Sequence, residues 1–219
     1  MTKWLVLCAV LWMALLSTAC AAPPKRIAAV VTEYRHNSHA DVIVSRLLLT
    51  DTLDGKGKRP SLKLVSLYTD QVPKNDTSRK WAKQFKVPIY KTVEETLTLG
   101  TGKLAVDGVL LIAEHGKYPK NATGNTIYPK RRLFNEVQKV FRKTGHSVPV
   151  FVDKHLADNW KDSKWLYDTA AELKVPLMAG SSLPVLWRYP PVDVQLSLIH
   201  ISEPTRPRLM SYAVFCLKK

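Results

Sequence analysis

From residue 26 onward, short runs of consecutive apolar residues alternate with longer stretches in which apolar positions recur every three or four residues. The runs 27–32, 62–68, 108–113, 148–152 and 176–179 predict strands, and their unbroken apolar character is that of strands covered on both faces. Between them, 40–49, 77–85, 93–99, 131–143 and 161–173 predict helices. In 131–143, Leu133, Phe134, Val137, Val140 and Phe141 form one buried stripe, and Arg132, Glu136, Lys139 and Lys143 form a wet face. Gly145 stands where a C-terminal cap would end this helix. Trp165, Leu166, Thr169, Ala170 and Leu173 make a similar stripe in the last helix and read as core. Strands alternating with helices predict an α/β domain, a parallel sheet with helices on both faces.

Three of the predicted strands end in ionisable clusters: His36, His39 and Asp41 after the first, Glu114 and His115 after the third, and Asp153, Lys154 and His155 after the fourth. The carboxyl ends of parallel strands are where loops and helix N-termini converge, so these clusters predict one site at one sheet edge. Two connections are long. Residues 51–61 read as a surface loop, and their Gly-Lys-Gly-Lys lacks the GxxxxGK[ST] spacing of a phosphate-binding loop. Residues 116–130, with two Gly, two Pro and two Tyr, directly follow Glu114 and His115 and read as a lid.

The two ends change the bounds. Residues 1–21 carry a lone Lys3, the apolar run from Trp4 to Leu16 and a small-residue stretch in which Ala19 and Ala21 predict cleavage before Ala22. This is the pattern of a secretory signal, too short for a stable transmembrane helix, and it predicts an extracytoplasmic protein, periplasmic or secreted, with no stable membrane anchor after cleavage. Lipid attachment at Cys20 is the weaker reading, because Ser17 stands three residues before it. The stretch from Leu196 to Arg206 matches the translation of a transposase-type sequencing adapter, and Ser211 to Leu217 matches its distal part. Residues 195–219 are therefore set aside from functional argument, leaving 22–194 as the domain, truncated before any second domain.

All three cysteines, Cys8, Cys20 and Cys216, lie in the two excluded segments, which removes disulfide, metal-thiolate and thiol chemistry from the body. What remains is basic, with 28 Lys and Arg against 17 Asp and Glu. The cations are scattered over helix faces and loops with no aromatic-interleaved stripe, so they predict a solvated surface and no nucleic-acid partner.

Residues 26–191 resemble the nucleotide-binding half of the Gfo/Idh/MocA oxidoreductases, the family of glucose-fructose oxidoreductase and inositol dehydrogenase. Val106-Asp107-Gly108-Val109-Leu110-Leu111-Ile112 is similar to that family's D-x-V-x-I strand, and Val150-Phe151-Val152-Asp153-Lys154-His155 to its strand ending in Glu-Lys-Pro. The resemblance implies a Rossmann-like fold, a nicotinamide cofactor, NAD or NADP, and a small carbohydrate-like substrate, a sugar or cyclitol. It places Lys154 at the reacting oxygen, with His155 or His115 moving a proton and Glu114 and Asp153 in the same cluster. Asp70, after the second strand, would accept hydrogen bonds from a ribose. The chain departs from the family in its first turn. The stretch Thr32-Glu33-Tyr34-Arg35-His36-Asn37-Ser38-His39 carries no glycine where G-x-G-x-x-G is expected. That leaves Arg35, or the helix N-terminus near Ser38 and His39, to hold a phosphate. The signal also lacks the twin arginine of the route that exports cofactor-loaded proteins.

Two other functions are open at the same edge. His36, His39, His115 and His155 with Asp41, Glu114 and Asp153 supply the ligand types of a metal-assisted hydrolase or lyase. Tyr34, Tyr118, Tyr128 and Trp187 would stack on sugar rings in a non-catalytic binding domain. The Gly180-Ser181-Ser182 turn offers hydrogen bonds in either. Oligomeric state is not legible.

Overall fold

The computed structural model describes residues 23–50 and 56–181. The signal segment, Ser182, Trp187 and the adapter-like tail lie outside them, as do the three cysteines. Among the described residues there are five strands: β1 (Lys25–Val31), β2 (Leu62–Thr69), β3 (Gly108–Ile112), β4 (Val150–Asp153) and β5 (Leu177–Gly180). Five helices lie between them, two of them consecutive between β2 and β3: α1 (His39–Leu48), α2 (Ser78–Phe85), α3 (Val93–Thr98), α4 (Lys130–Thr144) and α5 (Trp160–Glu172). None of the described helices is long and apolar enough to cross a membrane.

All strand pairings are parallel, in the order β2-β1-β3-β4-β5. Beyond β2, Leu67 forms an isolated parallel bridge with Ile89. That bridge makes the spatial order 3-2-1-4-5-6 of a doubly wound dinucleotide fold, with its third strand reduced to one residue pair. The chain leaves β1 toward β2 and returns on the other side of β1 to form β3. The carboxyl ends of β1 and β3 therefore flank the switch point, where an open sheet leaves a crevice.

Two layers of core hold the sheet. Ala28, Val30, Val109, Leu111, Val150 and Val152 pack against Val93 and Leu97 of α3, the Leu133–Phe141 stripe of α4 and Leu166 and Ala170 of α5. On the opposite face Ala29, Val31, Leu64, Leu67 and Ile112 meet Ala40, Ile43, Val44 and Leu48 of α1, with Trp81 and Phe85 of α2 at the margin. Helix ends follow local chemistry. Ser38 caps α1 by accepting from the Asp41 N–H, Thr92 and Glu95 form a capping box on α3, and Gly145 ends α4 in the left-handed region at φ 68°.

Two expectations fail. Strand β5 is not covered on both faces: Met178 is 65% exposed, at the end of a register row Leu110–Phe151–Met178. Tyr34 is no ring-stacking platform, for it is fully buried and its hydroxyl lies 2.8 Å from Ser45 Oγ in the α1-side core.

Candidate functional site

Strand β3 runs into Ala113, Glu114 and His115, and Glu114 is buried at 6% exposure. An isolated carboxylate there would be costly, and it is paired on both oxygens. The Lys130 ammonium ion-pairs with Oε1, and Lys154 donates to Oε2 at 3.1 Å. Lys130 opens α4 and is itself 1% exposed. Its Nζ donates to the carbonyl oxygens of Asp153 (2.9 Å) and His155 (2.8 Å) and lies 2.9 Å from His155 Nδ1. One buried cation thus ties the end of β3 to the end of β4.

Strand β4 ends at Asp153, which is fully buried. Its Oδ2 lies 2.6 Å from His39 Nδ1 at the start of α1, and its Oδ1 has no hydrogen-bond partner among the described residues. The His39 ring is 5.2 Å from that of His115, centroid to centroid, at 50°. The next residue, Lys154, turns into the left-handed region at φ 63°, where its N–H donates to Gly180 O. That turn carries the side chain back over Glu114, with 45% of it exposed.

Burial pushes the Glu114 carboxyl up, but the Lys130 and Lys154 ammonium groups outweigh it and hold the group below the usual carboxylate range. Burial also lowers Lys130, with Glu114 opposing the shift. Asp153 goes the other way: burial raises it, against the pull of His39. His115 is pushed down to about 4 by burial first and by the neighbouring Arg35 and Lys154 charges, so its ring is neutral at neutral pH. His155 is lowered by burial and by Lys130. The arrangement offers a chemical division of labour. Lys154 presents positive charge to a ligand oxygen, and Asp153 fixes the His39 ring. With Asp153 ionised, His39 Nδ1 donates to it and Nε2 is the ring's acceptor.

The structure thus brings together Glu114, His115, Asp153, Lys154, His155 and His39, from three separate parts of the chain. His39, expected near a phosphate, pairs with Asp153 through Nδ1. Ser38 Oγ is engaged by the Arg35 and Asp41 N–H groups at 3.2 Å each, and Arg35 Nε lies 3.4 Å from Glu33. His36 lies out in solvent beside Asp41. Among the described residues no group of three His, Cys, Asp or Glu is placed to hold a metal ion.

Asp70 follows β2 as expected, with company that the sequence did not reveal. Oδ1 accepts from the Tyr68 hydroxyl at 2.8 Å, and Oδ2 from the Tyr118 hydroxyl at 2.7 Å and Arg132 Nη2 at 2.6 Å. Burial raises its pKa, but these three donors bring it below the ordinary value. Lys130 is the site residue that sequence reasoning missed, since it sits in the basic run Lys130–Arg132 that reads as surface. A signal existed: a lysine at the first position of a helix opposes the macrodipole and calls for an anion close by.

A dinucleotide along this edge needs a ribose acceptor, a pyrophosphate contact and a polar group near the reacting oxygen. Asp70, Arg35 and Lys154 fit these roles in kind. The turn between β1 and α1 does not offer the close glycine backbone of the usual grip, so pyrophosphate contact falls to side chains.

No protein-family model matches the chain, and no curated protein matches it. Solved structures similar to it include a Gfo/Idh/MocA family oxidoreductase from Vibrio cholerae, at 21% identity and TM-score 0.45 over 71% of this chain and 38% of that one. A second is the gentamicin A biosynthesis protein GenD2 in complex with NAD, at 16% identity and TM-score 0.46 over 73% and 35%. A third is biliverdin reductase from Synechocystis in complex with biliverdin and NADP+, at 18% identity and TM-score 0.43 over 71% and 37%. The chain spans little more than a third of the length of these structures.

Proposed function

We propose that this chain is the nucleotide-binding, Rossmann-like part of an extracytoplasmic oxidoreductase that acts on a hydroxyl-bearing, carbohydrate-like small molecule. The observation that carries the reading is the Glu114–Lys154 pair at the switch point of a doubly wound sheet. A half-exposed ammonium is held there by a buried carboxylate that a second, fully buried ammonium keeps ionised. The bound nicotinamide, NAD or NADP, would supply the hydride acceptor or donor.

The chain's own residues would do the remaining work. Lys154 orients and polarises the substrate oxygen, and Glu114 holds that ammonium in place. Asp153 holds His39 in the tautomer whose Nε2 accepts a proton, with the neutral His115 ring beside it. Asp70 faces the ribose end and Arg35 the phosphates. A metal-assisted reaction at this edge has no three-ligand group among the described residues to support it.

The test is a fluorescence titration of the purified protein with NADH and NADPH. Saturable binding that weakens roughly tenfold or more in Lys154→Ala, as expected for loss of a charged contact of about 1.5–3 kcal/mol, supports the reading. No binding of either dinucleotide by the folded protein overturns it.

A further inference from the structure

The loop from Gly116 to Pro129 does not hang free beside the site. It is strapped across the carboxyl end of β2 by three contacts. Gln71 Oε1 accepts from the Lys117 N–H at 2.9 Å, and Gln71 Nε2 donates to the Lys117 carbonyl at 3.0 Å. Next along the loop, the Tyr118 hydroxyl donates to Asp70 Oδ2. Gly116 makes the bend possible, at φ +124°, and a Cβ there would come within 2.5 Å of the Tyr118 ring. The Tyr118 ring in turn meets Tyr128 edge-on at 6.2 Å, so both ends of the loop are pinned.

We propose that this strap gates the dinucleotide groove, with the Tyr118 hydroxyl standing in for a ribose hydroxyl on Asp70. The inference rests on the dinucleotide reading above. A carboxylate after the second strand of this fold is the acceptor for a ribose diol, and it has four lone-pair positions in all. Tyr68, Tyr118 and Arg132 already use three of them. A diol needs two, so one donor must leave. Tyr68 belongs to β2 itself and Arg132 to α4, whereas Tyr118 sits on a loop, which makes it the donor that can be exchanged. Entry of a ribose thus lifts the strap, and Gln71 releases Lys117 in the same movement. The protein pays for the closed state in apparent affinity, since a ligand that binds only the open form sees its affinity reduced by the open fraction.

The experiment compares NADH affinity of the wild type with that of Tyr118→Phe and Gln71→Ala, alongside deuterium exchange at the Lys117 amide. Tyr118→Phe removes a single oxygen and Gln71→Ala lies on an exposed contact, so two independent variants open the same strap. Faster exchange at Lys117 in both, with NADH bound about tenfold more tightly, is the expected result, the size being that of one charge-assisted hydrogen bond. Unchanged or weaker NADH binding in the variants, or unchanged exchange, overturns the gate while leaving the dinucleotide reading standing. Absence of NADH binding in all three proteins overturns both.

Discussion

Lys130 carries more of the site than any residue that a sequence motif would select. Its ammonium bridges Glu114 and the carbonyls of Asp153 and His155, so removing it leaves a buried carboxylate with the half-exposed Lys154 and, at 3.8 Å, His155 Nδ1. Lys130→Met is expected to cost about 3–5 kcal/mol in urea unfolding, and the double change with Glu114→Leu to recover much of that, because the orphaned charge disappears. His115 gives a pH prediction. Its ordinary value of 6.5 falls to about 4 in the fold, so between those values the unfolded chain takes up a proton that the folded chain refuses. Stability therefore falls as pH drops from 6.5 toward 4, and His115→Gln should flatten that slope in denaturation midpoints measured across the range. Glu114 has the depressed value of a paired carboxylate, so its contribution is complete above its unfolded value of 4.5 and is lost as pH falls through the lower folded one. The placing of Glu114, Asp153 and Lys154 at the carboxyl ends of strands was legible because each follows an apolar run. The pairing of Asp153 with His39 was not, because 114 residues separate them and only the sheet order brings them together.

At the scale of elements, all five strands and five helices follow from the two hydrophobic periods, and the differences lie at the ends. β4 and β5 begin after Pro149 and Pro176, which have no N–H for a ladder, although the sequence pattern starts each strand earlier. The residue pair Leu67–Ile89 escaped notice because Pro88 breaks the short run around it. The length and position of the 116–130 loop were legible, but its fastening was not: Asp70 and Gln71 carry no periodic or motif signal that aims them at Tyr118 and Lys117. Gly116→Ala is expected to displace the loop, since alanine is strained at that φ and its methyl meets the Tyr118 ring. Limited proteolysis should then cut within 116–129 faster than in the wild type, while helix content by circular dichroism is unchanged.

On the scale of the whole molecule, the order β2-β1-β3-β4-β5 places the ends of β1, β3 and β4 side by side, and that adjacency turns scattered ionisable clusters into one site. Alternation of strands and helices indicated a parallel sheet, whereas the order in space depends on crossovers that no local pattern encodes. Exposure at β5 marks the limit of the same reasoning, because an apolar run shows that a strand can be covered without showing what covers it. The proposed function requires that the switch point between β1 and β3, continued onto β4, binds a nicotinamide dinucleotide. It is tested most directly by mapping amide chemical shifts of the ¹⁵N-labelled protein as NADH is added. The account predicts saturable shifts at Thr32, Glu33, Glu114, His115 and Lys154, with those at Asp70 and Lys117 reporting the lifted strap. Shifts confined to other surfaces of the sheet and helices, or none at saturating NADH, would contradict it.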